Sequence, residues 1–306
     1  MDTSFGIQQK GKRNLITDVA GITVGHCTLA DGDVQTGVTA LLPHQGDLFH
    51  DRCPAAVHVI NGFGKSAGLV QVQELGYLET PLILTNTLSV GTAFTACVRY
   101  MLARNDQIGR AESTVNPVIL ECNDGYLNDI RGLHVTEDHV FAALDAADTA
   151  FALGAVGAGR GMSCYHLKGG IGSASRVFEI GGQTYTLGAL AMTNFGSLID
   201  LTIAGERIGK KLAAEPEDAK GSCIMVLATD APLSSRQLSR VARRAQSGLA
   251  RTGAVTEHGS GEIVLAFSTA NRIQAGQIFH SGVYLNDEAF LSLIHISEPT
   301  RHAQIS

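Results

Sequence analysis

The chain has 306 residues, 44% hydrophobic and 17% charged, which is enough apolar surface for a sizeable core and too little charge for a disordered chain. A formal net charge of -6 gives no basic face for a phosphate backbone, so nucleic acid is excluded as the main partner. Six dispersed cysteines read as reduced core residues, and without CxxC or HExxH spacing no metal site is expected.

Residues 1–13 lack the apolar core of a signal peptide, and no apolar run approaches the roughly 18 residues of a membrane span; a cytoplasmic chain without membrane contact is expected. Short β-rich runs follow at 55–60, 81–84 and 117–120. Helical patterns cover 89–102 and 136–153, opened by Ser89 and Thr136 as N-caps. The glycine clusters at 157–161 and 169–172 lack the strand, tight turn and helix of a dinucleotide site and match no phosphate-loop pattern, so they read as structural turns. A strand at 184–192 precedes a polar run, 214–221, and further strands at 223–228 and 263–267 flank a helix at 234–249. Within that helix Leu238, Val241, Ala242, Ala245 and Leu249 recur at helical spacing, so the arginines between 236 and 244 form its wet face. Helices interleaved with strands that read as buried on both faces give an α/β or layered α+β class.

The pair Gly221-Ser222 stands where the polar run meets a buried strand. A serine there has its hydroxyl near the preceding carbonyl, which favours an N-to-O acyl shift, and glycine tolerates the backbone geometry such an attack needs. Cleavage would leave an N-terminal serine carrying a hydroxyl and an α-amine of pKa about 7.7–8.0, nucleophile and base in one residue. The bland alternative is a Gly-Ser turn before a core strand. A second such element, His258-Gly-Ser260-Gly-Glu262, leads into the strand at 263–267. If the two strands are neighbours, the period of two puts Ser260 and Glu262 on one face, both within reach of Ser222, where the carboxylate can polarise Ser260 and hold a protonated Ser222 amine. Cys223 offers a rival thiol, but alternation turns it to the other face.

These residues resemble the family of self-processing L-aminopeptidase/D-esterase and β-aminopeptidase enzymes. So do Asn14 to His26, Thr85 to Gly91, Glu121 to Asp129, Lys168 to Arg176 and Thr193 to Gly196, in the family's order. The resemblance implies a four-layer α/β/β/α sandwich like that of N-terminal-nucleophile hydrolases and ornithine acetyltransferase. It implies self-cleavage into 1–221 and 222–290, with Ser222 as nucleophile, Asn194 as oxyanion donor, and Ser260 and Glu262 as the supporting pair. By the same resemblance Glu121 receives the substrate's α-ammonium, and Asn123 stands in the substrate site where some relatives carry a tyrosine. It further implies hydrolysis of N-terminal aminoacyl amides, esters or short peptides, no cofactor, and a homotetramer of processed protomers. Two rivals stand beside it: an acyltransferase of the ornithine acetyltransferase kind, and a non-maturing binding or structural protein. Residues 291–306 resemble the translation of a sequencing adapter, so the catalytic domain is expected to occupy 1–290 and the natural chain to continue differently past Phe290.

Overall fold

Alternation along the strands sorts apolar side chains to opposite faces, and each face finds a different partner layer. The computed structural model describes residues 8–212 and 221–291; most of the polar run before Gly221 and the residues from 292 onward lie outside them. In chain order the strands are β1 (Thr23–Asp31), β2 (Val34–Leu42), β3 (Asp51–Gly62), β4 (Tyr77–Leu78), β5 (Leu82–Asn86), β6 (Val118–Cys122) and β7 (Ser163–Cys164). They continue with β8 (Leu167–Lys168), β9 (Gly170–Ile180), β10 (Gln183–Asn194), β11 (Ser222–Thr229), β12 (Gly261–Ser268) and β13 (Ile273–Gln274). The helices are α1 (Leu69–Leu75), α2 (Val90–Leu102), α3 (Glu137–Asp145), α4 (Gly209–Leu212), α5 (Ser235–Ala250) and α6 (Asp287–Leu291).

A smaller sheet has the order β1-β2-β5-β6, and a larger one β13-β3-β12-β11-β10-β9 with β4 beside β3. Between them lies one apolar layer, with Leu82, Leu84, Val118 and Leu120 facing Ile224, Val226, Ile263 and Leu265. The outer face of the smaller sheet presents Ala40, Ile83 and Ile119 to Ala93 and Cys97 of α2 and Val140 of α3. The outer face of the larger sheet presents Met225, Leu227 and Val264 to Leu238, Val241 and Ala245 of α5. The four layers expected from the resemblance are therefore present in the order helix, sheet, sheet, helix.

Every strand expected from the sequence is present, and α2 and α5 fall within a residue or two of their expected bounds. Ser234 caps α5 by accepting from the Gln237 N–H at 3.3 Å, while Arg236 and Arg240 on its wet face pair with Asp287 at 2.8 and 3.1 Å. Helix α3 is shorter than its pattern. It ends at Asp145 because Asp148 leaves the helix to exchange backbone hydrogen bonds with Val24 at 3.0 and 3.2 Å. The hairpin β1–β2 and strand β9 carry no expectation from the sequence. The glycines read as turns at 169–172 run instead into β9, where a Cβ on Gly170 would lie 2.1 Å from the Gly154 carbonyl oxygen, a close approach only glycine permits.

Candidate active site

Ser222 is the first residue of β11 and Asn194 the last of β10, and the antiparallel register sets them directly opposite one another. Both are buried, and both line a cavity of about 740 Å³ that also takes in Gly221, Glu121 and Asn123. Alternation explains the aim of the serine. Ser222 shares its parity with Ile224 and Val226, which face the other sheet, whereas Cys223 shares its parity with Met225 and Leu227 in the core under α5. The thiol is thus turned away from the cavity.

Glycine at 221 is a requirement of space, since a Cβ there would sit 1.8 Å from the Asn194 carbonyl oxygen. The carbonyl of Gly221, the acyl group of the bond in question, accepts the Gly261 N–H at 3.2 Å, because β12 runs parallel to β11 with Gly261 in register with Ser222. That donor polarises the carbonyl toward attack.

The amide of Asn194 is held from both ends. Its Oδ1 accepts the Ser163 N–H at 2.9 Å and its Nδ2 donates to the Asn123 carbonyl at 2.8 Å, so the neighbours dictate which end is which. Nδ2 carries two hydrogens, and the second remains for an oxyanion. Asn123 itself is exposed, and its Oδ1 closes a turn by accepting the Gly125 N–H at 2.9 Å. Its clearest service to the site is the backbone carbonyl that fixes Asn194.

Glu121, at the end of β6, is 3% exposed, yet both carboxylate oxygens have donors: the Lys65 N–H at 2.7 Å on Oε1 and the Thr87 hydroxyl on Oε2. A carboxylate so held faces the cavity as a fixed negative charge.

Ser260 and Glu262 behave differently. They lie on one face as the period of two requires, and the Ser260 hydroxyl donates to Glu262 Oε1. The register nevertheless pairs Glu262 with Cys223, on the α5 side of the sheet, and neither residue lines the cavity. Ser260 and Glu262 thus flank Gly261 on the face of β12 opposite the one that faces the cavity. Glu262 is 2% exposed, its Oε2 is buried without a hydrogen-bond partner, and burial pushes its carboxyl up from the ordinary value of 4.5, with the Ser260 hydroxyl opposing. The Asn61 amide fixes the approach to this pair by donating to the carbonyls of Glu257 at 2.9 Å, His258 at 3.1 Å and Ser260.

Several cavity residues have no role assigned to them from the sequence. Phe63, with the Lys65 ammonium 4.4 Å from its ring centroid, forms part of the wall, as do Thr87, Tyr126 and His166. Among the described residues no group of three or more His, Cys, Asp or Glu has the arrangement of a metal site, and no helix is long and apolar enough to cross a membrane.

The model of peptidase family S58 matches residues 14–301. The chain belongs to peptidase family S58. Among relatives, this S58 chain is 38% identical to the β-peptidyl aminopeptidase BapA of Sphingosinicella microcystinivorans, over 96% of its own length and 80% of the relative's. It superposes on the PH0078 protein of Pyrococcus horikoshii OT3 with a TM-score of 0.95 at 50% identity, covering 99% of this chain and 88% of that one. Against the L-aminopeptidase D-Ala-esterase/amidase of Ochrobactrum anthropi the TM-score is 0.92 at 37% identity, covering 98% and 87%. That enzyme is described as a prototype of the serine aminopeptidases and a variant of the N-terminal-nucleophile hydrolase fold. The S58 chain is accordingly a hydrolase of the aminopeptidase kind on that fold, as its motifs implied.

Proposed function

We propose that the protein cuts itself between Gly221 and Ser222 and then uses Ser222 as an N-terminal nucleophile to hydrolyse N-terminal aminoacyl amides, esters or short peptides. The observation that carries this reading is the convergence on one cavity of Ser222, the Asn194 amide opposite it and the held carboxylate of Glu121. In self-cleavage the Ser222 Oγ adds to the Gly221 carbonyl, whose oxygen already accepts from Gly261, and the bond to the Ser222 nitrogen breaks. That break passes the hydroxyl proton to the nitrogen and leaves a free Ser222 amine with Gly221 as an ester on Oγ; water then hydrolyses the ester to the Gly221 carboxylate and the Ser222 hydroxyl.

In turnover Ser222 attacks the carbonyl of the substrate's first residue, its own amine takes the proton and returns it to the leaving amine, and water clears the acyl-enzyme. The free N–H of Asn194 stabilises the oxyanion, an effect worth about 3–4 kcal/mol per donor in characterised enzymes. Glu121 selects substrates with a free ammonium group, since that cation compensates its buried charge. Ser260 and Glu262 serve the new amine of Ser222 rather than its hydroxyl. That amine forms at the edge of β11 one strand away, and a cation there supplies the partner that Glu262 Oε2 lacks in the uncut chain. Processed protomers are read as a cytoplasmic homotetramer, a reading that rests on the family resemblance and that sedimentation of the mature protein tests.

Intact mass under denaturing conditions, with hydrolysis of L-, D- and β-aminoacyl p-nitroanilides, tests the proposal. The unsubstituted chain should give two fragments divided between Gly221 and Ser222 and release p-nitroaniline. Ser222→Ala should do neither, and its retention of either activity overturns the reading.

A further inference from the structure

Behind the cavity wall lies a cation that the mechanism above does not use. Lys168 is exposed along much of its length, but its ammonium is saturated by three carbonyls: Met162 at 2.6 Å, Gly169 at 2.7 Å and Gly159 at 3.2 Å. No carboxylate pairs with it among the described residues, and burial, followed by the nearby Arg160, pushes it down to about 8. An ammonium seated on carbonyls alone holds backbone in place at the expense of its own hydration.

The backbone it holds leads directly to the site. The Met162 carbonyl belongs to the same planar peptide as the Ser163 N–H, and that N–H donates to Asn194 Oδ1 at 2.9 Å. A charge-assisted bond on the carbonyl draws electron density across the peptide and strengthens the N–H as a donor, which in turn makes the Asn194 amide a better donor at Nδ2. The same bond resists rotation of the peptide. Such resistance matters because β7 and β8 are joined by Tyr165 and His166, both left-handed at φ 52° and 57°, the geometry of a tight turn normally filled by Asn and Gly. Two strained residues beside a cavity need the surrounding structure to hold them. The Tyr165 N–H donates to the Phe195 carbonyl at 2.7 Å, its hydroxyl bonds Thr252 at 2.7 Å, and Lys168 closes the base of the hairpin.

We infer that Lys168 is a positioning residue for the oxyanion donor: its ammonium fixes and polarises the Met162–Ser163 peptide, whose N–H holds the Asn194 amide on its line into the cavity. The inference rests on the proposed role of Asn194 and adds to it a residue outside the cavity.

A double-mutant cycle on kcat, scored per mole of chain beginning at Ser222, tests this. Lys168→Met keeps the reach and removes the cation; its kcat should fall on the order of tenfold to a hundredfold with KM within about twofold, the scale of a small misplacement of a reacting group. Lys168→Arg should restore most of the loss. Combined with Asn194→Ala, Lys168→Met should add little, because both changes remove one interaction. Additive losses, or a wild-type kcat for Lys168→Met, overturn the role of Lys168 while leaving Asn194 intact. A wild-type kcat for Asn194→Ala overturns the reading of the donor itself and this inference with it. Should Lys168→Met fail to mature, Lys168→Gln, which keeps donors without charge, takes its place in the cycle with the same expected outcomes.

Discussion

Two buried carboxylates flank the strand that begins at Ser222, and they are equipped in opposite ways. Glu121 lines the cavity, and both its oxygens are already satisfied by Lys65 and Thr87. Glu262 lies outside the cavity, with one oxygen on Ser260 and the other buried without a partner. On the proposed function, the fully held carboxylate is a finished site for a cation from outside, the substrate's ammonium. A half-held one, on the same proposal, is completed by the amine released at Ser222. If the proposal holds, the difference separates what the uncut chain can already do from what cleavage adds.

The largest effect should come from Glu121→Gln. Removing the charge while keeping the shape deprives the substrate ammonium of its counter-ion in a buried site, and kcat/KM for aminoacyl p-nitroanilides should fall about a hundredfold or more, ~3 kcal/mol. Self-cleavage should proceed at the wild-type rate, since no ammonium needs to be held when the chain attacks itself. Intact-mass time courses beside steady-state kinetics check both halves, and loss of self-cleavage in this variant would merge the two carboxylates into one function. Glu262→Gln should show the complementary pattern, with kcat lower by on the order of a hundredfold and KM nearly unchanged, because it disturbs the proton handling of the Ser222 amine and not substrate binding. A smaller change follows from Thr87→Val, which strips one donor from Glu121 and leaves a buried acceptor unmet. KM should rise about tenfold, equivalent to ~1.4 kcal/mol, with kcat unmoved.

How much of this contrast could be read in the sequence depends on which geometry carries it. The apolar run that begins after Ser222 marks a strand end, so Ser222 announces itself by position, whereas Asn194 and Glu121 are legible only through the resemblance; the period of two joins Ser260 to Glu262. Alternation alone gives a shared face without saying which face. Only the register, pairing Glu262 with Cys223, gives the face on which they lie. The donors to Glu121 are a backbone N–H and a hydroxyl from segments distant in sequence, and their meeting at one carboxylate leaves no periodicity to read. Strands β1 and β2 escape a periodicity reading because Gly25 and Gly37 interrupt them. A Cβ on Gly25 would lie 2.1 Å from the Ala143 carbonyl of α3, so the glycine that hides the strand is what lets helix and sheet approach.

The finest test of the contrast is the dependence of stability on pH, measured separately before and after cleavage. In the uncut chain burial raises the Glu262 carboxyl above 4.5, so the folded state holds that proton more tightly than the unfolded state. Between 4.5 and the higher folded value the folded chain binds more protons, and stability should fall as pH rises through that window. Urea unfolding of Ser222→Ala, which stays uncut, should display this slope, and adding Glu262→Gln should remove Glu262's share of it. The mature enzyme should show a shallower dependence, because the Ser222 ammonium now favours the charged carboxylate and offsets the burial that raised it. Equal slopes in the uncut and mature proteins would mean that the new amine does not reach Glu262, and the half-held carboxylate would then need a different partner.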